Sequence, residues 1–217
     1  MKNLILIGGG GHCISCIDVV EQTGLYQIIG ILDLPEKLGQ KVLNYSVIGT
    51  ENELERFLPV CSDFLITVGQ IKSSELREII FHKVMMAGGN LPVIISPFAY
   101  VSPNTKIEEG SIIMHHVLVN SGAIVGQGCI LNTKSLIEHE AKIGNFCHIS
   151  TAAVINGQAK VGDSCFIGSN TVVSNNTHIT ANTVIAAGSQ VLKSIEIPGT
   201  YIGHPLRKNQ LTCIQSL

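Results

Sequence analysis

From Val101 onward every sixth residue is valine, isoleucine or leucine. The hexads read VNSGAI from Val119, VGQGCI from Val125, LNTKSL from Leu131, IEHEAK from Ile137 and IGNFCH from Ile143, and the phase runs to a last hexad at Ile197. Fifth positions from Thr105 to Ser189 are Ala, Ser, Thr or Cys, with the single exception of Val117. A strand alternates with period two and a helix repeats every 3.6 residues, so neither explains a period of six. Three hexads close a coil of 18 residues. The pattern therefore predicts a solenoid of three short strands per turn, roughly five coils long. First-position aliphatics stack along its axis, and the small fifth-position residues let the chain turn at the corners.

Residues 1–95 follow a different pattern. Leu4–Ile7 is a short buried strand ending at four glycines, and a helix-like stretch from Cys13 to Gln22 follows. Ile28–Leu32 is a second strand, Thr50 and Glu53 form a capping box, and Phe64–Val68 is a third strand. Ser73 caps a helix through Met86, and Leu91–Ile95 supplies a fourth strand. Strands alternating with helices imply a small parallel sheet. The fold class is thus a Rossmann-like α/β domain over residues 1–95, followed over residues 96–217 by a left-handed parallel β-helix of hexapeptide repeats with a C-terminal tail. No hexad is interrupted, so no long loop leaves the coils.

Composition narrows the function classes. Charged residues make up 14% of the chain and the net charge is −2, which leaves no basic footprint for nucleic acid. The apolar runs are far shorter than the roughly 20 residues that span a bilayer, and Met1–Leu4 leads into glycines with no signal-peptide core. A cytoplasmic protein is expected. Seven cysteines, an odd number, suit buried thiols in a reducing compartment, and Cys13 with Cys16 reads as helix packing before redox chemistry.

Two features carry chemistry. The first is the glycine loop Gly8–Gly11 with His12, placed between strand and helix, where free N–H groups suit a phosphate. Asp33, at the end of the next strand, stands where an acidic residue takes a ribose or base. Cys13 occupies the place of the third glycine of the dinucleotide fingerprint, so the full spacing is absent; the helix N-terminus with the acidic strand end suggests a nucleotide or nucleotide-sugar over a redox dinucleotide, and a ligand-free turn is the competing reading. The second feature is His139, third in its hexad and flanked by Glu138 and Glu140. A carboxylate on one imidazole nitrogen raises the basicity of the other. His148, nine residues on, falls on a neighbouring face of the prism. A metal site is disfavoured, because the separations of 24, 9 and 30 among His115, His139, His148 and His178 miss the 36 of two whole coils.

The glycine loop with His12, the Asp33 strand end, FLITVG from Phe64, IEHE from Ile137 and PGTYIGHP from Pro198 occur in order across essentially the whole chain. Together they resemble the acyltransferase family of sialic acid O-acetyltransferases and UDP-4-amino-sugar and GDP-perosamine N-acetyltransferases, with IEHE and the following IGxFxH closest to the UDP-4-amino-sugar enzymes. The resemblance implies an acetyl-CoA-dependent N-acetyltransferase of bacterial surface-glycan biosynthesis that requires no metal. It makes His139 the general base and Glu140 the carboxylate tuning it. His148, Gly157, Ser169 and Ala187 would line the acetyl-CoA cleft, with the Gly157 main chain as oxyanion donor. Gly10, Gly11, His12, Asp33 and Gly69 would hold the nucleotide-sugar. The assembly implied is a homotrimer with active sites between subunits. Cys13 in place of a glycine after Gly-His, and Leu34 in place of a second aspartate, depart from the family pattern and bear on the base bound. O-acetylation of a sialic acid, GDP-perosamine as acceptor, and a non-catalytic trimeric nucleotide-sugar scaffold are the alternatives.

Overall fold

The structure, a computed structural model, describes residues 1–203 and the backbone of residues 207–208. The N-terminal domain runs β1 (Lys2–Ile7), α1 (Gly11–Thr23), β2 (Tyr26–Leu32), β3 (Lys41–Val42), β4 (Tyr45–Gly49), α2 (Leu54–Phe57), β5 (Phe64–Ile66) and α3 (Glu75–Ala87). Its five-stranded sheet has the order β3-β4-β2-β1-β5, parallel except for β3, which pairs antiparallel with β4. The capping box at Thr50 and Glu53 is present. The helix expected from Ser73 through Met86 begins at Glu75, whose N–H donates to the Ser73 hydroxyl.

One expected strand is placed differently. Ile94–Ile95 pairs with Ile112–Ile113 and opens the solenoid, leaving only Asn90, bridged to Asp63, with the N-terminal sheet. The apolar Leu91–Ile95 run is satisfied by either core, and the hexad spacing to Ile113 decides for the solenoid.

The solenoid is a prism of three parallel sheets. One face carries Ile94–Ile95, Ile112–Ile113, Ile130–Leu131, His148–Ile149, Phe166–Ile167 and Val184–Ile185. This face is covered by the N-terminal domain: Phe146, on its edge, meets Phe81 at 5.2 Å between ring centroids, and Ser164 donates to Glu78 at 2.7 Å. A second face carries Tyr100–Val101, Leu118–Val119, Leu136–Ile137, Val154–Ile155, Val172–Val173 and Gln190–Val191. Its outward side chains are nearly all apolar, and among the described residues no element packs over them. The third face carries Lys106–Ile107, Ile124–Val125, Lys142–Ile143, Lys160–Val161 and His178–Ile179, with outward side chains mostly basic.

First-position aliphatics from Ile113 to Val191 are buried, as are the fifth-position residues from Ala123 to Ser189. Burying each aliphatic is worth roughly 1.5–3 kcal/mol. Fourth positions turn the corners: Gly110, His116, Gly122, Gly128, Lys134, Glu140 and their successors to Gly188 all have φ between 52° and 75°. The phase ends one hexad early, since Ile195 enters the core in place of the expected Ile197, which is 61% exposed.

Candidate functional site

His139 and Glu140 sit on the corner between the apolar and basic faces. The corner requires a left-handed residue, and Glu140 fills it with φ of 58°. This conformation turns its carboxylate back toward the neighbouring ring, with Oε2 3.6 Å from His139 Nδ1. The same oxygen accepts from Gln158 Nε2 at 2.7 Å, one coil on. These two contacts, Gln158 first, hold the Glu140 carboxyl below its ordinary value. Glu138 is occupied elsewhere, accepting from Asn120 Nδ2 and from the His139 N–H. The His139 ring lies over Gly157: a methyl group at that Cα would fall 2.5 Å from Nε2 and 2.6 Å from Cε1. Among the described residues, no acceptor meets the Gly157 N–H. A half-exposed imidazole with a carboxylate on one nitrogen and a free backbone donor under the other is equipped to take a proton beside a developing negative charge.

A second polar cluster occupies the covered face. A cavity of about 720 Å³ is lined by His12, Ser15, Gly69, Gln70, Ile71, Asn132, Thr133, His148 and Thr151. His148 is 7% exposed and packs edge-on against Phe166. Its Nδ1–H donates to the Gln70 carbonyl at 2.7 Å, while Nε2 accepts from Asn132 Nδ2 at 3.1 Å. That network fixes a neutral tautomer, because Asn132 Oδ1 is held by the Thr133 N–H. Burial, opposed in part by the Gln70 carbonyl, lowers the His148 pKa to about 4. Burial, then the charges of His148 and Arg77, lowers that of His12 to about 3. His12 Nε2 and Gln70 Oε1 are buried without a hydrogen-bond partner. A cavity edged by an unsatisfied donor or acceptor and an unsatisfied acceptor suits a polar ligand.

A third space, about 260 Å³, lies outside the carboxyl ends of β1 and β2 and is lined by Gly8, Gly9, Gly10, Asp33, Leu34, Lys37, Gly69, Leu76 and Ile80, among others. Gly8 is required here: its φ is 104° and a Cβ would lie 2.5 Å from Val68 Cγ2. Side chains at Gly10 and Gly11 would meet nothing, so these two leave open room before the uncapped start of α1. Asp33 is less free than its position suggested. It accepts from the Gly9 N–H at 2.7 Å, the Leu34 N–H at 2.8 Å and Lys37 Nζ at 2.9 Å. Partial burial works to raise its pKa, and these donors, Lys37 first, lower it overall. Asp33 thus ties the glycine loop to Lys37 at the rim of the space.

Between the two spaces the fully buried Arg77 joins the domains, donating from Nη1 to the Val68 carbonyl and from Nη2 to the Gly128 carbonyl, both at 2.6 Å. Burial lowers its pKa to about 10. Sequence reasoning missed Arg77, Gln70 and Asn132. Asn132 lay within the Leu131-Asn-Thr stretch that contributes to the family resemblance, but no role was read for it; it is a polar second position of its hexad, directly below Ser150.

The expected site residues do not form one cleft within the chain. His139, Glu140 and Gly157 share one corner of the prism. His148 and His12 lie on the covered face, opposite that corner. Ser169 and Ala187 stack on the corner between the covered and apolar faces, where Ser169 bonds Ser150 at 2.9 Å. Ser96, His115 and Asp18 also form a chain, with Ser96 Oγ 2.6 Å from His115 Nδ1 and His115 Nε2 2.8 Å from Asp18. Ser96 is only 1% exposed and borders none of these spaces, so the chain staples α1 to the solenoid. Cys13 and Cys16 are buried in α1, as packing requires. His204 and Pro205, within the terminal motif, lie outside the described residues. Among the described residues no group of His, Cys, Asp and Glu is placed to hold a metal, and no helix is long and apolar enough to cross a membrane.

Residues 3–84 match the PglD N-terminal domain family, and residues 158–193 match the bacterial transferase hexapeptide family of six repeats. The acetyltransferase domain of PglB from Neisseria gonorrhoeae FA1090, solved in complex with acetyl coenzyme A, is 28% identical, with a TM-score of 0.88 over 96% of this chain and 99% of that one. A mutant of perosamine N-acetyltransferase from Caulobacter crescentus, solved with CoA and GDP-perosamine, is 26% identical, with a TM-score of 0.89 over 96% and 97%. WeeI from Acinetobacter baumannii AYE shares the fold at 19% identity, with a TM-score of 0.85 over 96% and 100%.

Proposed function

We propose that this chain, an acyltransferase that joins a PglD N-terminal domain to bacterial transferase hexapeptide repeats, moves the acetyl group of acetyl-CoA to the 4-amino group of a nucleotide-linked 4-amino-dideoxy sugar. UDP is the nucleotide of the first reading, and bacterial surface-glycan synthesis in the cytoplasm is the setting. The observation that carries the reading is the His139 corner: an exposed imidazole seated on Gly157 with Glu140 at its Nδ1. Periodicity explains the aliphatics around it, and a scaffold has no use for this arrangement.

The chemistry is direct transfer. The sugar amine attacks the thioester carbonyl as the free base and must lose a proton as the tetrahedral adduct collapses to amide and thiol. His139 Nε2 takes that proton, a role worth about 10²–10⁴-fold, while Glu140 favours the imidazolium that results. The Gly157 N–H is the donor for the oxyanion. His12 Nε2 and Gln70 Oε1, unpartnered and buried, are the polar groups offered to the nucleotide-sugar, beside the space edged by Gly10, Asp33 and Gly69.

Because the His139 corner lies opposite the face on which His12 sits, the two halves meet only between copies. The uncovered ladder of Tyr100, Leu118, Leu136, Val154 and Val172 is the surface for that association, in a homotrimer closed about the solenoid axis direction. A GDP-linked amino sugar is the second reading, favoured by the likeness to the GDP-perosamine-bound enzyme. The test is CoA release from acetyl-CoA with a panel of UDP-, GDP- and CMP-linked sugars, using wild type and His139→Ala. A 4-amino sugar should turn over with wild type and lose about 10²–10⁴-fold with the variant. Unchanged turnover by His139→Ala would remove the base assignment, and turnover of hydroxyl acceptors alone would replace N- by O-acetylation.

A further inference from the structure

The basic face beside His139 has a property that folding does not explain. Lys142 and Lys160 are direct neighbours in the parallel register, and His178 follows on the next strand. All three side chains point outward and are exposed. Neither lysine makes an ion pair among the described residues, which is equally true of Lys2, Lys41, Lys72, Lys134 and Lys193; what sets these two apart is that they are register neighbours on one face. Like charges placed directly opposite across a sheet repel and destabilise it. Lysines are common on solvated faces, but these two stand on adjacent rungs in direct register, with His178 on the next, and neither has an ion-pair partner among the described residues. The line borders a concavity of about 380 Å³ lined by Glu140, Lys142, Gln158, Lys160, Asn176, Thr177 and His178. Glu140 is the one acidic group there, and its Oε2 is committed to Gln158 and His139.

We infer that Lys142, Lys160 and His178 form the docking ladder for the phosphate end of acetyl-CoA, which runs along this face away from the His139 coil. The inference rests on the proposed acetyl-transfer reading and deepens it. Parallel strands stack about 4.8 Å apart, so Lys160 and His178 stand roughly 5 and 10 Å along the axis from the coil that carries His139. That direction lets a thioester lie at His139 while the diphosphate and 3′-phosphate reach cations farther along. Lysine supplies point charge without demanding fixed geometry, which suits a flexible polyphosphate. The diphosphate of the nucleotide-sugar has the same chemistry, but its expected binding groups are on the N-terminal domain, around Gly10 and Lys37.

The experiment compares wild type with the Lys142→Gln/Lys160→Gln double variant. It measures CoA binding by calorimetry and steady-state KM for acetyl-CoA, acetyl-3′-dephospho-CoA, acetyl-pantetheine and the nucleotide-sugar. The double variant should raise KM for acetyl-CoA about tenfold or more, less for the dephospho form, and leave acetyl-pantetheine unaffected. Wild-type affinity for CoA should fall with added salt, and the variant's dependence should be shallower. Relieved of repulsion, the variant should melt at or above the wild-type temperature. Equal CoA affinity in wild type and variant overturns the ladder, as does equal weakening of acetyl-pantetheine. A raised KM for the nucleotide-sugar alone assigns the lysines to the other diphosphate and likewise overturns it. Failure of wild type itself to bind CoA would instead sink the acetyl-transfer reading.

Discussion

Replacing Gly157 with alanine tests the placement of His139 without touching the histidine. The added methyl would lie 2.5 Å from His139 Nε2 and 2.6 Å from Cε1, with Asn175 Nδ2 at 3.2 Å. Non-bonded contacts of this kind settle near 3.5 Å, so the ring must withdraw by about 1 Å. The group that must move is the end of a half-exposed side chain, and the Gly157 backbone is not in the left-handed region. The backbone therefore accepts alanine without strain, and loss of unfolded-state freedom stabilises the variant by about 0.4–1 kcal/mol. A displacement of this size at a proton-transfer group costs on the order of 10²-fold, or about 2.7 kcal/mol of transition-state stabilisation. The assay is kcat from CoA release, paired with a thermal melt. We expect kcat lower by about two orders of magnitude and a melting temperature equal to or above wild type. Activity within twofold of wild type would refute the geometry, and a collapsed melting temperature would recast Gly157 as a packing residue.

Three further outcomes follow from the same structure. His12 and His148 have folded-state pKa values of about 3 and about 4, below the unfolded value of 6.5. Above pH 6.5 both states hold them neutral; below it only the unfolded state takes up protons. Stability should therefore fall as the pH drops from about 6.5 toward 4, by on the order of 1 kcal/mol per pH unit for each histidine, and His148→Gln should flatten the dependence of the urea midpoint between pH 7.5 and 5.5. Arg77→Ala, which strands the Val68 and Gly128 carbonyls and opens a cavity between the domains, should cost on the order of 3–5 kcal/mol in urea denaturation. Leu118→Glu with Val172→Glu, placing charge on the uncovered apolar face, should convert the assembly to monomers by light scattering; persistence of a trimer would clear that face of the role.

The solenoid was legible because its core admits one inward aliphatic per hexad, so the physical repeat is written at single positions. The corners were read from the small fifth positions, which are in fact buried, whereas the left-handed residues that turn the chain stand at fourth positions, where glycine and asparagine recur but His116, Lys134, Glu140 and Phe146 obscure the signal. Glu140 was singled out for its charge, and its conformation, which turns the carboxylate toward His139, follows from its place in the hexad. Leu91–Ile95 was misplaced because apolarity alone does not say which of two adjoining cores a short strand joins. The short β3 and β4 lack strong periodicity and were not anticipated. Asp33 was found at the right strand end, while its use by Gly9, Leu34 and Lys37 depends on a loop closing back across the sheet. Arg77 and Gln70 were invisible because their roles arise only where the domains meet. Counting faces does place His139 and His148 on different parts of the prism, and the structure adds that the N-terminal domain covers one face and leaves His139 on the opposite edge.

That separation makes mixed assemblies the most direct test. His139→Ala and His12→Ala subunits, each inactive alone, are to be unfolded together in equal amounts, refolded and assayed for acetyl transfer to the 4-amino sugar. If each site draws His139 from one copy and the His12 cavity from its neighbour, random assembly restores about a quarter of wild-type activity, since each contributing half is intact with even odds. No recovery above the separate variants, with one variant labelled with nitrogen-15 so that mixed trimers are verified by mass, would contradict a site shared between copies.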